Sequence, residues 1–490
     1  MAGKDRGKLR KIDAHMGEAQ TSCQDKIGSS GISMQCNLQH GIRETPFSGF
    51  GLLFRTARQR IVLDKSTLYT VFKSARRQYW TRRRSGHSMI HRRGRETTAR
   101  TSTTQSLLDQ LIAWHQIPGI QYVVVDSDSI RYEYAGGVCD VQYPAAPVTC
   151  DTCFLTSSST KVLTAAAVLK LVEQEKVKLD DPLSKYFKEH PYGDNLHIRH
   201  LMNQSSGIPN PMPLTWLHTA EEHCNYSEAN ALRDALQVNP KLDFQPGHKY
   251  AYSNLSYWLL GKVIEQASGK TYREYLHEEI LGPLDIDPNQ LDCEIPSSTI
   301  ARGHQPRFSL MTLIFSFLTS REIWEKSVGR WARFRLLYMN GPAYGGIFAT
   351  AKGGYAKFLQ DLLRDKPKLF SKSSTKELCF SEQRDVSGKV LPTTLGWHRG
   401  HVLMGVVDDD ELTGTGRSTT SPRPPLQHLY FGKPGGGPGY HSNLRIYPKL
   451  GIATVFLANT TEVSEGSINA LSDLLDKEFL IEANRAITPG

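Results

Sequence analysis

The 490-residue sequence has no apolar run near the roughly 20 residues a membrane-spanning helix needs; its longest apolar-rich stretch, Ser309 to Leu318, is ten residues long. No segment near the start has the positive, apolar and small-residue order of a secretory signal, so the cytoplasm is the default expectation for compartment. Eight cysteines are too few and too scattered for a disulfide framework in a chain of this length. One Cys-x-x-Cys, Cys150 and Cys153, has no second pair to complete a closed zinc site. A disulfide between the two, or two ordinary thiols, remains. A nucleotide-binding Gly-x-x-x-x-Gly-Lys-Ser/Thr loop is also missing: Lys433 precedes its glycine cluster and a proline follows it. No internal repeat is evident.

Acidic residues are scarce at one end only. The net charge is +10, but residues 1–100 hold 21 Lys and Arg against 7 Asp and Glu, so the remainder is slightly acidic. That distribution removes most of the case for a nucleic-acid-binding body. It sets residues 1–102 apart as a basic arm, disordered or separate, with Arg-rich sequence from Ala75 to Arg100 opposed only by Glu96. Such a block either is simply solvated or contacts a polyanion.

From Thr104 the pattern becomes that of a folded protein with 39% hydrophobic content overall. Thr104 to His115 is amphipathic with helical spacing, Ile120 to Val125 and Ile130 to Ala135 read as a hairpin, and Asp126 to Ser129 is its turn. Residues 162–283 carry short helical patterns and no evident strand: Ile198 to Asn203, Ser227 to Leu236, Leu259 to Ser268 and Tyr272 to Ile280, with Gly and Pro as stops. Residues 303–340 combine the apolar decapeptide with Trp324, Trp331 and Phe334 interleaved with arginines. They read as two packed helices, or as a cap that shapes an apolar pocket or touches membrane. Tyr355 to Leu363 is a further helix. Tyr440 to Tyr447 and Ile452 to Asn459 are strands, and Ser467 to Phe479 closes the pattern as an amphipathic helix. Helix-strand-strand at one end and strand-strand-helix at the other predict one α/β fold: an antiparallel sheet flanked by N- and C-terminal helices, with a helical domain inserted. The expected division is 103–157 with 341–484 for the sheet domain and 158–340 for the helical one, including the possible active-site cap 303–340.

Three segments carry reactive side chains. In Phe154-Leu-Thr-Ser-Ser-Ser-Thr-Lys161, a helix beginning near Ser158 places Lys161 on the same face about one turn on. A hydroxyl and an amine then lie within proton-transfer reach, where free N–H groups and the helix dipole favour an oxyanion or a depressed lysine pKa. A plain helix cap is the competing reading for these serines. In Pro246 to Asn254, Tyr252 and Asn254 project to one side if the segment is extended; a nearby lysine would favour the phenolate and make the tyrosine a base. Capping of the helix that follows is the alternative. In Phe431 to Tyr440, five glycines permit close backbone approach and Lys433 adds a positive charge. Such an edge can donate an N–H to an oxyanion.

Together the segments Ser158-Ser-Thr-Lys161, Tyr252-Ser-Asn254 and Lys433-Pro-Gly435, in that order, resemble the serine beta-lactamase-related family of the class C type, which includes penicillin-binding carboxypeptidases, D-aminopeptidases and esterases of transpeptidase-like fold. Ile198-Arg-His-Leu, Ser205-Ser-Gly, Gly345-Gly346 and Gly396-Trp397 are similar to further family pieces, and the likeness covers roughly residues 104–483. It implies that Ser158 is the acylating nucleophile, Lys161 aids its deprotonation and Tyr252 shuttles the proton. It further implies that Asn254 donates to the substrate amide or to Lys161, that Lys433 orients a substrate carboxylate or supports Tyr252, and that the Gly436 N–H is the second oxyanion donor. Pro434 departs from the hydroxyl or small residue usual in the third motif, which favours an ester or differently shaped amide. Lysine in place of the histidine frequent among esterases pulls the other way.

The expected function is a serine hydrolase acting through an acyl-enzyme on a small-molecule ester or peptide-like amide, without metal or organic cofactor. The alternatives are a true beta-lactamase, a D-alanyl-D-alanine carboxypeptidase, or a catalytically silent scaffold docking through its basic arm.

Overall fold

In the computed structural model the described residues are 102–211, 216–404, 426–461 and 465–487. The basic arm therefore lies outside them, apart from Ser102. The first helix, α1 (Thr103–Ala113), starts where the Ser102 side chain accepts the Gln105 N–H, satisfying one of the free donors of the first turn. β1 (Gly119–Val125) and β2 (Ile130–Gly137) follow as an antiparallel hairpin. The Asp126 carboxylate holds the turn by accepting from the N–H groups of Asp128 and Ser129.

The helical part contains two long buried elements, α2 (Thr160–Glu173) and α3 (Asn254–Ser268). α2 is apolar around most of its circumference and is correspondingly buried from Thr160 to Leu169. α3 begins at Asn254, beside the start near Leu255 that the capping alternative assumed and ahead of the amphipathic stretch from Leu259, since Ser253 caps it by accepting the Ser256 N–H; it stops at Gly269, whose φ of 73° suits a left-handed C-cap. A three-residue strand, Leu217–Thr219, interrupts a region with no strand signal; it pairs with Leu337–Met339.

Residues 303–340 differ from the two-helix expectation. Leu310–Leu318 is α-helical there (α4) and Arg321–Ile323 is a single 3-10 turn; His304–Pro306, Trp324–Val328 and Trp331–Phe334 form a three-stranded antiparallel sheet. Gly329, with φ of 54°, makes the turn of the second pair, and the aromatic residues that suggested a helix face are strand residues: Trp331 follows the turn, while Trp324 and Phe334 lie opposite each other at the far end of the pair.

The main sheet is completed from the C-terminal side by β3 (His398–Met404), β4 (Leu426–Gly437), β5 (Tyr440–Tyr447) and β6 (Ile452–Ala458), before the closing helix α5 (Glu465–Ile487). Its order is β3-β4-β5-β6-β1-β2, antiparallel throughout, and the join between chain ends is the β1/β6 pair, with Val123 opposite Val455. Period-two alternation divides β1 between two cores. Ile120, Tyr122 and Val124 pack with Leu108 of α1 and with Ile468 and Leu475 of α5, while Val123 and Val125 face the large core shared with α2 and α3. A sheet buried on both faces explains why β1 and β6 read as nearly continuous apolar runs, each broken by one polar residue, Gln121 and Thr454.

Cys150 and Cys153 are free thiols: Cys150 Sγ contacts the Glu133 carboxylate and Cys153 is buried. The disulfide considered for them is not formed.

Candidate active site

The first reactive segment lies at the junction of sheet and helices. Ser157–Ser159 forms a 3-10 turn leading straight into α2. Ser157 adopts φ of 49°, a left-handed conformation that is strained for serine. The turn is held from both sides. Thr156 gives its N–H to the Ile347 carbonyl at 2.8 Å, and its hydroxyl lies 2.9 Å from the same oxygen and 2.9 Å from Tyr355 Oη. On the sheet side Ser159 Oγ donates to the Lys433 carbonyl at 2.8 Å and Ser442 Oγ donates to the Thr156 carbonyl at 2.7 Å.

Close approach of β4 to this turn depends on glycine. A Cβ at Gly435 would lie 2.3 Å from both Ser442 Oγ and the Thr156 carbonyl, and one at Gly437 would lie 2.2 Å from Ser157 Oγ. The glycine-rich segment is therefore a strand pressed against the serine turn. β3 pairs with β4 only as far as His398 opposite Gly432, so Lys433 to Gly437 extend past the end of β3 and leave that edge open.

Ser158, Lys161, Tyr252 and Asn254 converge. Ser158 Oγ is 2.6 Å from Tyr252 Oη, and Lys161 Nζ donates to Ser158 Oγ at 3.2 Å. The fully buried Lys161 also donates to Asn254 Oδ1 at 2.7 Å and to the Tyr344 carbonyl at 2.5 Å. Of the two partners expected for Asn254, Lys161 is therefore met by its oxygen as an acceptor, since an ammonium can only donate. It is the first residue of α3, whereas Ser253 is the cap, so the capping alternative applies to Ser253 and leaves Tyr252 and Asn254 for the cleft. Gln204 braces this segment, its Oε1 accepting the Ser253 N–H at 2.6 Å and its carbonyl accepting the Ala251 N–H at 2.9 Å.

Lys433 joins the group from the third segment. It is 2% exposed, and its ammonium lies 4.8 Å from the centre of the Tyr252 ring, while that of Lys161 is 5.1 Å from it. Two cations flanking one phenol favour any negative charge that develops on it. Gly436 lies opposite His441 in the β4/β5 pair.

His398 was missed in the sequence. Lys433 Nζ donates to its Nε2 at 2.9 Å, which fixes the imidazole as the tautomer protonated on Nδ1. Burial, with Lys433 and Lys161 nearby, holds its pKa well below the ordinary histidine range, so the ring stays neutral. Its signal was available: it directly follows Gly396-Trp397. The Tyr344 carbonyl was not legible, since a backbone acceptor leaves no mark in residue type.

The beta-lactamase family profile matches residues 104–476. Among curated relatives, Protein flp of Staphylococcus aureus (strain COL) is 30% identical over 199 residues, 38% of each chain. Penicillin-binding protein 4* of Bacillus subtilis (strain 168) is 23% identical over 295 residues, 60% of this chain and 62% of that one. The chain thus aligns with about two fifths of the length of the first of these. Among solved structures, the octameric penicillin-binding protein homologue from Pyrococcus abyssi superposes with a TM-score of 0.56 at 22% identity, covering 76% of this chain and 77% of that one. The class C beta-lactamase from Rhodobacter sphaeroides gives 0.53 at 18% identity, covering 77% and 99%. These likenesses establish the shared fold.

Proposed function

The chain belongs to the beta-lactamase family of serine hydrolases, and from that premise we propose that it cleaves a small ester or peptide-like amide through an acyl-enzyme on Ser158. One observation carries the reading: a single hydroxyl, Ser158 Oγ, lies 2.6 Å from a phenol and 3.2 Å from a buried ammonium. Binding alone does not call for that trio.

In the proposed reaction Tyr252 starts as the phenolate and accepts the Ser158 proton as Oγ attacks the substrate carbonyl carbon, becoming the neutral phenol. Lys161 holds the hydroxyl in place and, with Lys433, stabilises the negative charge on the phenol oxygen. The resulting oxyanion accepts from the N–H groups of Ser158 and Gly436. Strand parity supports the second donor. Proline has no N–H for a ladder, so Pro434 fits where its nitrogen faces the open edge, and alternation turns the Gly436 N–H the same way. Collapse of the tetrahedral species breaks the bond to the leaving group, which takes its proton from Tyr252. Water then releases the acyl group by the same steps in reverse order. The helical stretch 158–340, placed against the sheet domain of 103–157 and 341–484, would supply the substrate-facing walls.

A second reading, beta-lactamase or D-alanyl-D-alanine carboxypeptidase, is favoured by Lys433, whose buried ammonium could orient a substrate carboxylate. Pro434 works against it, since no hydroxyl stands there to share that carboxylate.

Intact mass after incubation with a fluorophosphonate or a penicillin-type probe tests the shared core of both readings. One adduct is expected, absent from Ser158→Ala; no adduct on the native protein would leave the silent scaffold standing. Comparing p-nitrophenyl esters, D-amino-acid amides and a chromogenic cephalosporin then separates the substrate classes.

A further inference from the structure

α4 presents its apolar residues to solvent. Phe308 is 86% exposed, Phe317 80%, Leu313 53% and Leu310 48%, and among the described residues none from Phe308 to Leu318 joins a hydrophobic cluster. A nine-residue helix is marginal on its own in water. This one is pinned at both ends by polar contacts. Ser309 caps it, Thr312 Oγ1 donates to the Pro306 carbonyl at 2.6 Å, and Trp324 Nε1 donates to Thr319 Oγ1 at 3.1 Å. The fold therefore holds the helix with its apolar side outward.

The charge beside it is mainly positive. Residues 307–321 contain no acidic residue, and Arg307 and Arg321 stand exposed at the two ends, with Glu322 next to Arg321 the nearest carboxylate in sequence. A helix of this length spans about 14 Å, too short to cross a bilayer; among the described residues no helix is long and apolar enough to do so. Its exposed face offers a few hundred Å² at most, short of the roughly 800 Å² each partner gives to a stable protein interface. Apolar side chains between cations, with a tryptophan at the base, match the headgroup boundary of an anionic bilayer.

We propose that α4, with Arg307 and Arg321, is an interfacial anchor that docks the protein on anionic lipid membranes. The strand feeding it abuts the turn that closes β4: the His304 N–H donates to the Gly439 carbonyl at 3.1 Å. Docking would place that end of the cleft beside the lipid surface. The inference does not depend on the hydrolase reading.

Co-sedimentation of the full chain with phosphatidylcholine vesicles, with and without about 30% phosphatidylglycerol, tests it. Repeating the assay in about 0.5 M NaCl, where the Debye length falls to roughly 4 Å, screens the contribution of the basic arm. The native protein is expected to prefer the anionic vesicles and to keep measurable binding in high salt. Leu313→Glu/Phe317→Glu and, separately, Phe308→Ser should lower the high-salt partition coefficient, the former by at least about tenfold, with circular dichroism melts unchanged. Arg307→Gln/Arg321→Gln should weaken binding at low salt. Equal partition of native and variant proteins, or no native binding to either vesicle, overturns the proposal. So does a lipid-free native dimer that the apolar variants convert to monomer, since that assigns the face to a second copy.

Discussion

Replacing Gly435 by alanine tests whether the site depends on the close approach of β4 to the serine turn. The new Cβ would lie 2.3 Å from Ser442 Oγ, 2.3 Å from the Thr156 carbonyl and 2.9 Å from the Ser159 nitrogen, where ordinary contact begins at 3.4 Å. Thr156 is clamped by Ile347 and Tyr355, so most of the missing 1.1 Å must come from movement of β4. Overpacking of this size costs about 1–3 kcal/mol. For a unit spanning Glu96–Gly490 that lowers Tm by roughly 1–4 °C. The same movement carries the Gly436 N–H away from Ser158. Misplacement of about 1 Å costs on the order of 100-fold in rate, and loss of an oxyanion donor costs about as much or more.

The second-order rate of fluorophosphonate acylation, followed by intact mass beside a thermal melt, reads both effects without knowledge of the natural substrate. Gly435→Ala should acylate at least about 100-fold more slowly while remaining folded. Gly436→Ala is the control. Its Cβ would meet only His441, at 3.3 Å and 3.7 Å, and since the proposed donor is a backbone N–H, acylation should stay within about fivefold of native. Native rates for Gly435→Ala, or equal losses for the two variants, would refute the reasoning.

Two further outcomes are expected. Lys433 loses its imidazole acceptor in His398→Leu but keeps a potential one in His398→Gln; a hydrogen bond to a charged group contributes about 1.5–3 kcal/mol, so acylation of the leucine variant should fall roughly 10- to 100-fold below that of the glutamine variant, and equal rates would remove His398 from the positioning of Lys433. His441 is buried with its Nδ1 3.0 Å from the Thr460 carbonyl, and burial pushes its pKa down to about 4. Between the ordinary value of about 6.5 and that value the unfolded chain binds a proton that the folded chain refuses. Stability should therefore fall as pH is lowered through this window, by at most about 1.4 kcal/mol per pH unit from this group; urea midpoints at successive pH values should show a shallower slope for His441→Gln, and identical slopes would contradict the assignment.

Much of the site was legible because its chemistry resides in residue types at fixed separations. The pair Ser158 and Lys161 sits one turn apart at a helix start, a spacing that local geometry alone dictates. Tyr252 and Asn254 announced themselves as polar residues ahead of an apolar helix. The two ends of the main sheet were equally legible, since helix-strand-strand and strand-strand-helix patterns survive whatever lies between them.

Other features were not legible for identifiable reasons. The glycine-rich part of β4 could be read as an edge that donates an N–H, but not where it packs; only the close approach of Gly435 and Gly437 to the serine turn shows why glycine is required there. The aromatic and arginine mixture of residues 324–334 fits a helix face and a strand pair equally well until the Gly329 turn and the partner strand choose between them. The sequence by itself determined which groups could react and the order in which the chain supplies them, because covalent spacing and side-chain chemistry are local properties. Tertiary structure decided that Tyr252 meets Ser158 across 94 positions and that a neutral His398 holds Lys433. It also left the apolar side of α4 facing outward, because contacts between distant segments are set by how whole layers pack, and no local pattern encodes that.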